Sequence, residues 1–103
     1  MAARVNKDSF EEVVLKSEKP VLVDFYSDTC IPCKMMSGTL GDIEDENEDA
    51  IKVVKVNVNY DEELAEQYKV MSVPTLLYFE AGAEVARLKG AASKDEIEDL
   101  IGV

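Results

Sequence analysis

The spacing of hydrophobic and polar positions changes several times along the chain, and each change marks an element. Val21-Leu22-Val23-Asp24-Phe25-Tyr26 is a nearly unbroken run of β-branched and aromatic residues after Pro20, the pattern of a strand covered on both faces. Residues 52–58 alternate valine with lysine or asparagine and predict a second strand. Residues 73–79 read as a third, apolar strand ended by Ala81-Gly82, with residues 84–89 as its hairpin partner.

Helical spacings fill the intervals. Phe10, Val13 and Val14 predict a helix over residues 9–16, with Asp8 and Glu11 at capping-box separation. Met36, Leu40 and Ile43 predict a longer helix opened near Pro32, in which Gly38 and Gly41 each cost up to about 1 kcal/mol relative to alanine. Residues 61–68 form a short helix opened by three acids. A last helix begins at Ser93, with Glu96 completing a capping box and Ile97, Leu100 and Ile101 on its apolar face. Strands and helices in this succession give an α/β class.

Composition narrows the setting. The 103 residues suit one domain spanning residues 1–103. A chain of this size buries somewhat over 60% of its unfolded surface, enough for a core without a structural metal. Its 22 acids against 11 bases give a formal net charge of −11, which repels phosphate backbones and anionic headgroups and argues against nucleic-acid or membrane partners. The longest apolar run, residues 76–79, falls far short of the roughly twenty a membrane span needs. Residues 1–8 lack the apolar stretch of a secretory signal, so a cytoplasmic setting is expected, although a processed form would look the same. Five acids crowd residues 44–49 and read as a solvated helix end.

The chain has no histidine, so the commonest general base and the commonest metal ligand are both missing. Cys30 and Cys33 are its only cysteines. A four-coordinate zinc would need carboxylates or a second chain to complete it, and neither route is indicated. Two cysteines separated by Ile31-Pro32, after a buried strand and at the start of a helix, form a redox motif. Positions i and i+3 share a helical face, and the helix N-terminus offers unpaired N–H groups and partial positive charge to a thiolate. Cys30 at the tip is then the exposed nucleophile and Cys33, one turn inward, the buried resolving thiol. The structural alternatives are a disulfide that merely staples, which gains little entropy from so short a loop, and a zinc shared between chains.

Val21-Leu22-Val23-Asp24-Phe25-Tyr26, Cys30-Ile31-Pro32-Cys33-Lys34-Met35, Val54-Lys55-Val56-Asn57, Val73-Pro74-Thr75-Leu76 and Lys89-Gly90-Ala91 together resemble the thioredoxin family, from about Phe10 to the C-terminus. The resemblance implies the thioredoxin fold: a central five-stranded mixed sheet flanked by four helices, with the first three strands parallel and the last two antiparallel. It implies that the Cys30 thiolate attacks a disulfide in a partner protein, that Cys33 resolves the mixed disulfide, that a thioredoxin reductase restores the dithiol of a monomer, and that no metal or organic cofactor is needed because sulfur carries both electrons. It makes Asp24, whose pKa burial would raise, the proton acceptor and donor for Cys33, and Lys55 the residue that tunes Asp24. An acid paired with lysine for stability alone is the plainer reading of Asp24, and simple solvation that of Lys55. An X-Pro bond is trans in all but about 5% of cases, yet the resemblance implies a cis Pro74. It also places Thr29, Val73, Pro74 and Gly90 against substrate, Val73 offering backbone groups to an added strand, and gives Ile31 and Pro32 the tuning of the redox couple.

The match departs from the family pattern near the cysteines. Thr29 and Ile31 stand where tryptophan and glycine are usual, a change that bears on the reduction potential and the choice of reductase through thiolate stabilisation and access. Gly38, Tyr26 and Asn59 replace a proline, a tryptophan and an acid, and read as packing changes. Two other functions compete with a protein disulfide reductase: a more oxidising isomerase or glutathione-linked relative, and a binding module that uses the fold without turnover.

Overall fold

The computed structural model describes residues 3–103. Strand β1 (Ala3–Arg4) leads to helix α1 (Lys7–Phe10), which continues into a π-helical turn over Glu11–Leu15. Then come β2 (Val21–Tyr26), α2 (Ile31–Glu46), β3 (Lys52–Asn57), α3 (Glu62–Gln67), β4 (Thr75–Glu80), β5 (Ala83–Lys89) and α4 (Lys94–Ile101). The strands form one sheet in the order β1-β3-β2-β4-β5. β1 and β2 run parallel to β3, β4 is antiparallel to β2, and β5 is antiparallel to β4. This is the mixed five-stranded sheet with flanking helices that the resemblance implies.

Side chains alternate across the sheet, and two apolar layers result. Val21, Val23 and Phe25 of β2, Val54 and Val56 of β3, and Leu77 and Phe79 of β4 face one layer, closed by Phe10, Val14, Leu64 and Ala65. Leu22, Val53, Leu76 and Tyr78 face the other, closed by Met36, Leu40 and Ile43 of α2 and by Ile97 and Ile101 of α4. Each buried Val, Leu, Ile, Phe or Met side chain among them contributes roughly 1.5–3 kcal/mol by leaving water. Asp24 and Lys55 alternate onto the α2 face, in register with each other across β2 and β3.

Three expectations require correction. The first helix is capped by Asn6, not by Asp8. The Asn6 side chain accepts the Ser9 N–H and the Ser9 hydroxyl accepts the Asn6 N–H, so this nearer reciprocal pair outcompetes Asp8 and Glu11. The segment also stops being α-helical after Phe10. The third strand starts at Thr75, because Val73-Pro74 is a turn whose proline has no N–H for the ladder. The short β1 escaped the pattern reading since two exposed residues carry no alternation. The final helix keeps its Ser93–Glu96 capping box. Ala81 and Gly82, both at positive φ, make the tight β4–β5 turn.

Candidate active site at the start of helix α2

β2 delivers the chain to the site. Beyond Tyr26 a short loop, with the Cys30 N–H donating to the Ser27 carbonyl, brings Cys30 to the N-cap of α2. Pro32 lies in the first turn, where its missing N–H leaves no intrahelical bond broken. Cys33 follows one turn in, and its Sγ is bonded to that of Cys30. The Cys33 backbone N–H points at the Cys30 Sγ at 3.1 Å. That sulfur occupies the place of a capping acceptor, the position where a helix best supports negative charge.

The structure corrects one detail of accessibility. Cys30 is only 9% exposed, little more than Cys33 at 4%. What stands free around them is Ile31, 68% exposed, and Met35, 78% exposed. Thr29 and Pro32 are exposed as well.

Behind Cys33 lies a cleft of about 230 Å³ lined by Asp24, Tyr26, Ser27, Asp28, Cys33, Lys34, Ser37 and Lys55. Asp24 is 5% exposed, and its Oδ1 has no hydrogen-bond partner among the described residues. Burial pushes its pKa from 3.8 to about 7, while the charge of Lys55 pulls the other way. The Lys55 ammonium itself sits over the Tyr26 ring, 5.4 Å from its centroid. A larger hollow of about 540 Å³ beside Arg4, Tyr60 and Asp61 contains neither cysteine.

The antiparallel pairing of β4 with β2 and of β5 with β4 brings the start of β4 and the end of β5 to the same end of the sheet as Cys30. Val73-Pro74 is cis, and the Pro74 carbonyl accepts the Gly90 N–H at 2.7 Å, tying the two loops together. The Val73 backbone N–H and C=O have no partner among the described residues. The predicted residues thus fall into two groups at one end of the sheet. Asp24, Cys33 and Lys55 border one cleft, and Val73, Pro74 and Gly90 form a neighbouring loop pair.

Sequence reasoning missed the groups that hold the cysteine loop. Asn57 is fully buried; its Nδ2 donates to Asp28 Oδ1 at 3.1 Å and its Oδ1 accepts the Asn59 N–H at 2.9 Å. A polar residue closing the otherwise apolar alternation of β3 was the available signal. Among the described residues no group of ligating side chains is arranged to hold a metal, and no helix is long and apolar enough to cross a membrane.

The thioredoxin family model matches residues 1–102. The chain is 46% identical to a thioredoxin of Acidithiobacillus ferridurans over 93 residues, 90% of this chain and 86% of that protein. It is 39% identical to thioredoxin 1 of a Nostoc species over 97% of this chain and 94% of its relative. It is 37% identical to a thioredoxin of Rickettsia bellii over 98% and 96%.

Proposed function

Since this chain belongs to the thioredoxin family and is a thiol-disulfide oxidoreductase, we propose that it reduces disulfides of partner proteins, with Cys30 attacking and Cys33 resolving. In the dithiol form the Cys30 thiolate attacks one sulfur of a substrate disulfide and displaces the other as a thiolate. Cys33 then gives its proton to Asp24 and attacks the Cys30 sulfur of the mixed disulfide. The second substrate thiolate departs, two electrons have passed to the substrate, and the Cys30–Cys33 disulfide remains. A thioredoxin reductase returns two electrons and two protons to restore the dithiol.

The observation that carries this reading is the shared position of the sulfurs and Asp24. Cys30 caps α2 beneath the Cys33 N–H, and Cys33 borders the cleft into which the carboxyl faces. A group titrating near 7 holds or releases a proton with little cost at neutral pH. Lys55, on the adjoining strand, keeps that carboxyl from rising further. Val73 offers its free backbone groups to an extended substrate segment, with Thr29, Pro74 and Gly90 around it and Ile31 and Pro32 setting the redox couple. Residues 1–103 act as a single domain and a monomer in the cytoplasm.

A Cys33→Ser variant tests the assignment directly. It should accumulate mixed disulfides through Cys30 when exposed to oxidised substrate proteins, while Cys30→Ser should form none and lose insulin-reducing turnover. Full turnover by Cys30→Ser would overturn the assignment.

A further inference from the structure

Although the chain is strongly acidic, residues 68–79, with Lys69, and residues 85–94, with Arg87, Lys89 and Lys94, carry no acid, as is also true of residues 29–41 and 50–60. The fold brings the first two stretches together. β5 pairs with β4 so that Lys89 lies opposite Thr75, and a small cleft is lined by Lys69, Met71, Ser72, Thr75, Arg87 and Lys89. Ser72 and Thr75 bracket Val73-Pro74, so this basic wall adjoins the loop with the free backbone groups.

The cations in that wall are not equivalent. Arg87 is half-buried, held by both carboxylate oxygens of Glu84 and donating to the Tyr68 carbonyl, so its charge is already answered. Lys69 and Lys89 are exposed and, among the described residues, neither forms an ion pair. Lys7, Lys16 and Lys94, by contrast, each have a carboxylate partner, while Lys34 on α2 and Lys52 and Lys55 on β3, which form no ion pair either, lie outside this wall. Two unanswered ammonium groups beside a peptide-accepting loop, on a molecule of net charge −11, form a local selector.

We infer that Lys69 and Lys89 select substrates whose disulfide lies beside an acidic segment of the polypeptide, the carboxylates docking on these two lysines while the flanking backbone pairs at Val73. This rests on the thiol-disulfide reading above and adds a substrate class to it. The lysines act on the approach and seating of the segment, not on the sulfur chemistry.

The experiment uses the reduced full-length chain and three synthetic peptides that share one disulfide, flanked by Glu-Glu, Gln-Gln or Lys-Lys. Second-order reduction rates are measured at ~0.1 M and ~0.5 M NaCl. At the lower salt the Glu-flanked peptide should react about threefold to tenfold faster than the Gln-flanked one, as two exposed ion pairs allow. The Lys-flanked peptide should be slowest, and the higher salt should bring the rates together. In Lys69→Gln/Lys89→Gln the Glu-to-Gln rate ratio should fall to about one, since the two docking cations are gone and the net charge of the chain does not favour acidic segments. The control Lys16→Gln/Lys19→Gln removes equal charge elsewhere and should keep the ratio. Equal rates for the three peptides, or a preference that survives loss of Lys69 and Lys89, would overturn the inference and leave the disulfide-reductase reading standing. Failure of the reduced protein to react with any peptide would overturn both.

Discussion

Replacing Asp24 by asparagine separates the cost of the buried carboxyl from its use. In the unfolded chain the group titrates near 3.8, and in the folded chain near 7. The folded state therefore binds more protons between those values, and stability falls as pH rises through that window. Fully developed above pH 7, the penalty is about 4 kcal/mol. It is absent below pH 3.8, where both states are protonated. An amide does not titrate, so the advantage of Asp24→Asn over the wild type should grow by about 3 kcal/mol between about pH 5 and about pH 8.5. An amide left without partners costs about 1–3 kcal/mol but does so equally at both pH values. The pH-dependent difference is thus the clean readout. Urea titrations of the oxidised wild type and variant at several pH values measure it, with the two m-values compared to establish a common unfolded state. A stability difference flat across the window would refute the buried-carboxyl argument. At neutral pH the variant should also resolve mixed disulfides more slowly, seen in single-turnover exchange. A gain in stability with unchanged exchange rates would leave Asp24 a purely structural acid.

Other outcomes follow from the same geometry. Ile31→Gly should shift the reduction potential and alter turnover with a thioredoxin reductase, both read by equilibration against glutathione and a coupled assay; no change in either would make Ile31 a surface residue only. Gly82→Ala should destabilise by at least about 2 kcal/mol in urea, because its φ is +82 and a Cβ would meet the Leu15 carbonyl oxygen at 2.8 Å. Gly38→Ala should stabilise by about 0.5–1 kcal/mol, since a Cβ there meets nothing within 4 Å inside a continuous helix. Asn57→Ala should cost about 1–3 kcal/mol, read by thermal unfolding, through loss of its two part-buried hydrogen bonds to Asp28 and Asn59 at about 0.5–1.5 kcal/mol each.

The elements that pattern alone located were those with a strong period. β2, β3 and the α2 face of Met36, Leu40 and Ile43 were legible because burial on a sheet or under a helix forces their spacing. The cysteine pair was legible because its four residues sit at a strand-to-helix junction. Strand direction was supplied only by the resemblance and strand order only by the structure, since hydrophobic period says nothing about which strand lies beside which. The Asn6 cap was missed because Asn6 and Asp8 are both good acceptors, and reciprocity with Ser9 decides between them in three dimensions. The Asn57–Asp28 tie and the Lys69–Lys89 wall were missed for a related reason. Each joins residues well separated along the chain, and no local spacing encodes such a meeting.

The arrangement of the sheet places the sulfur chemistry on its central strand and the helix that follows, while the basic wall hangs on an edge strand and a surface loop. The charge-based part of recognition is therefore editable apart from electron transfer. A library randomised at positions 69, 71 and 89 is the natural starting point for directed evolution of reductases aimed at chosen client proteins, with the catalytic unit carried through each round untouched.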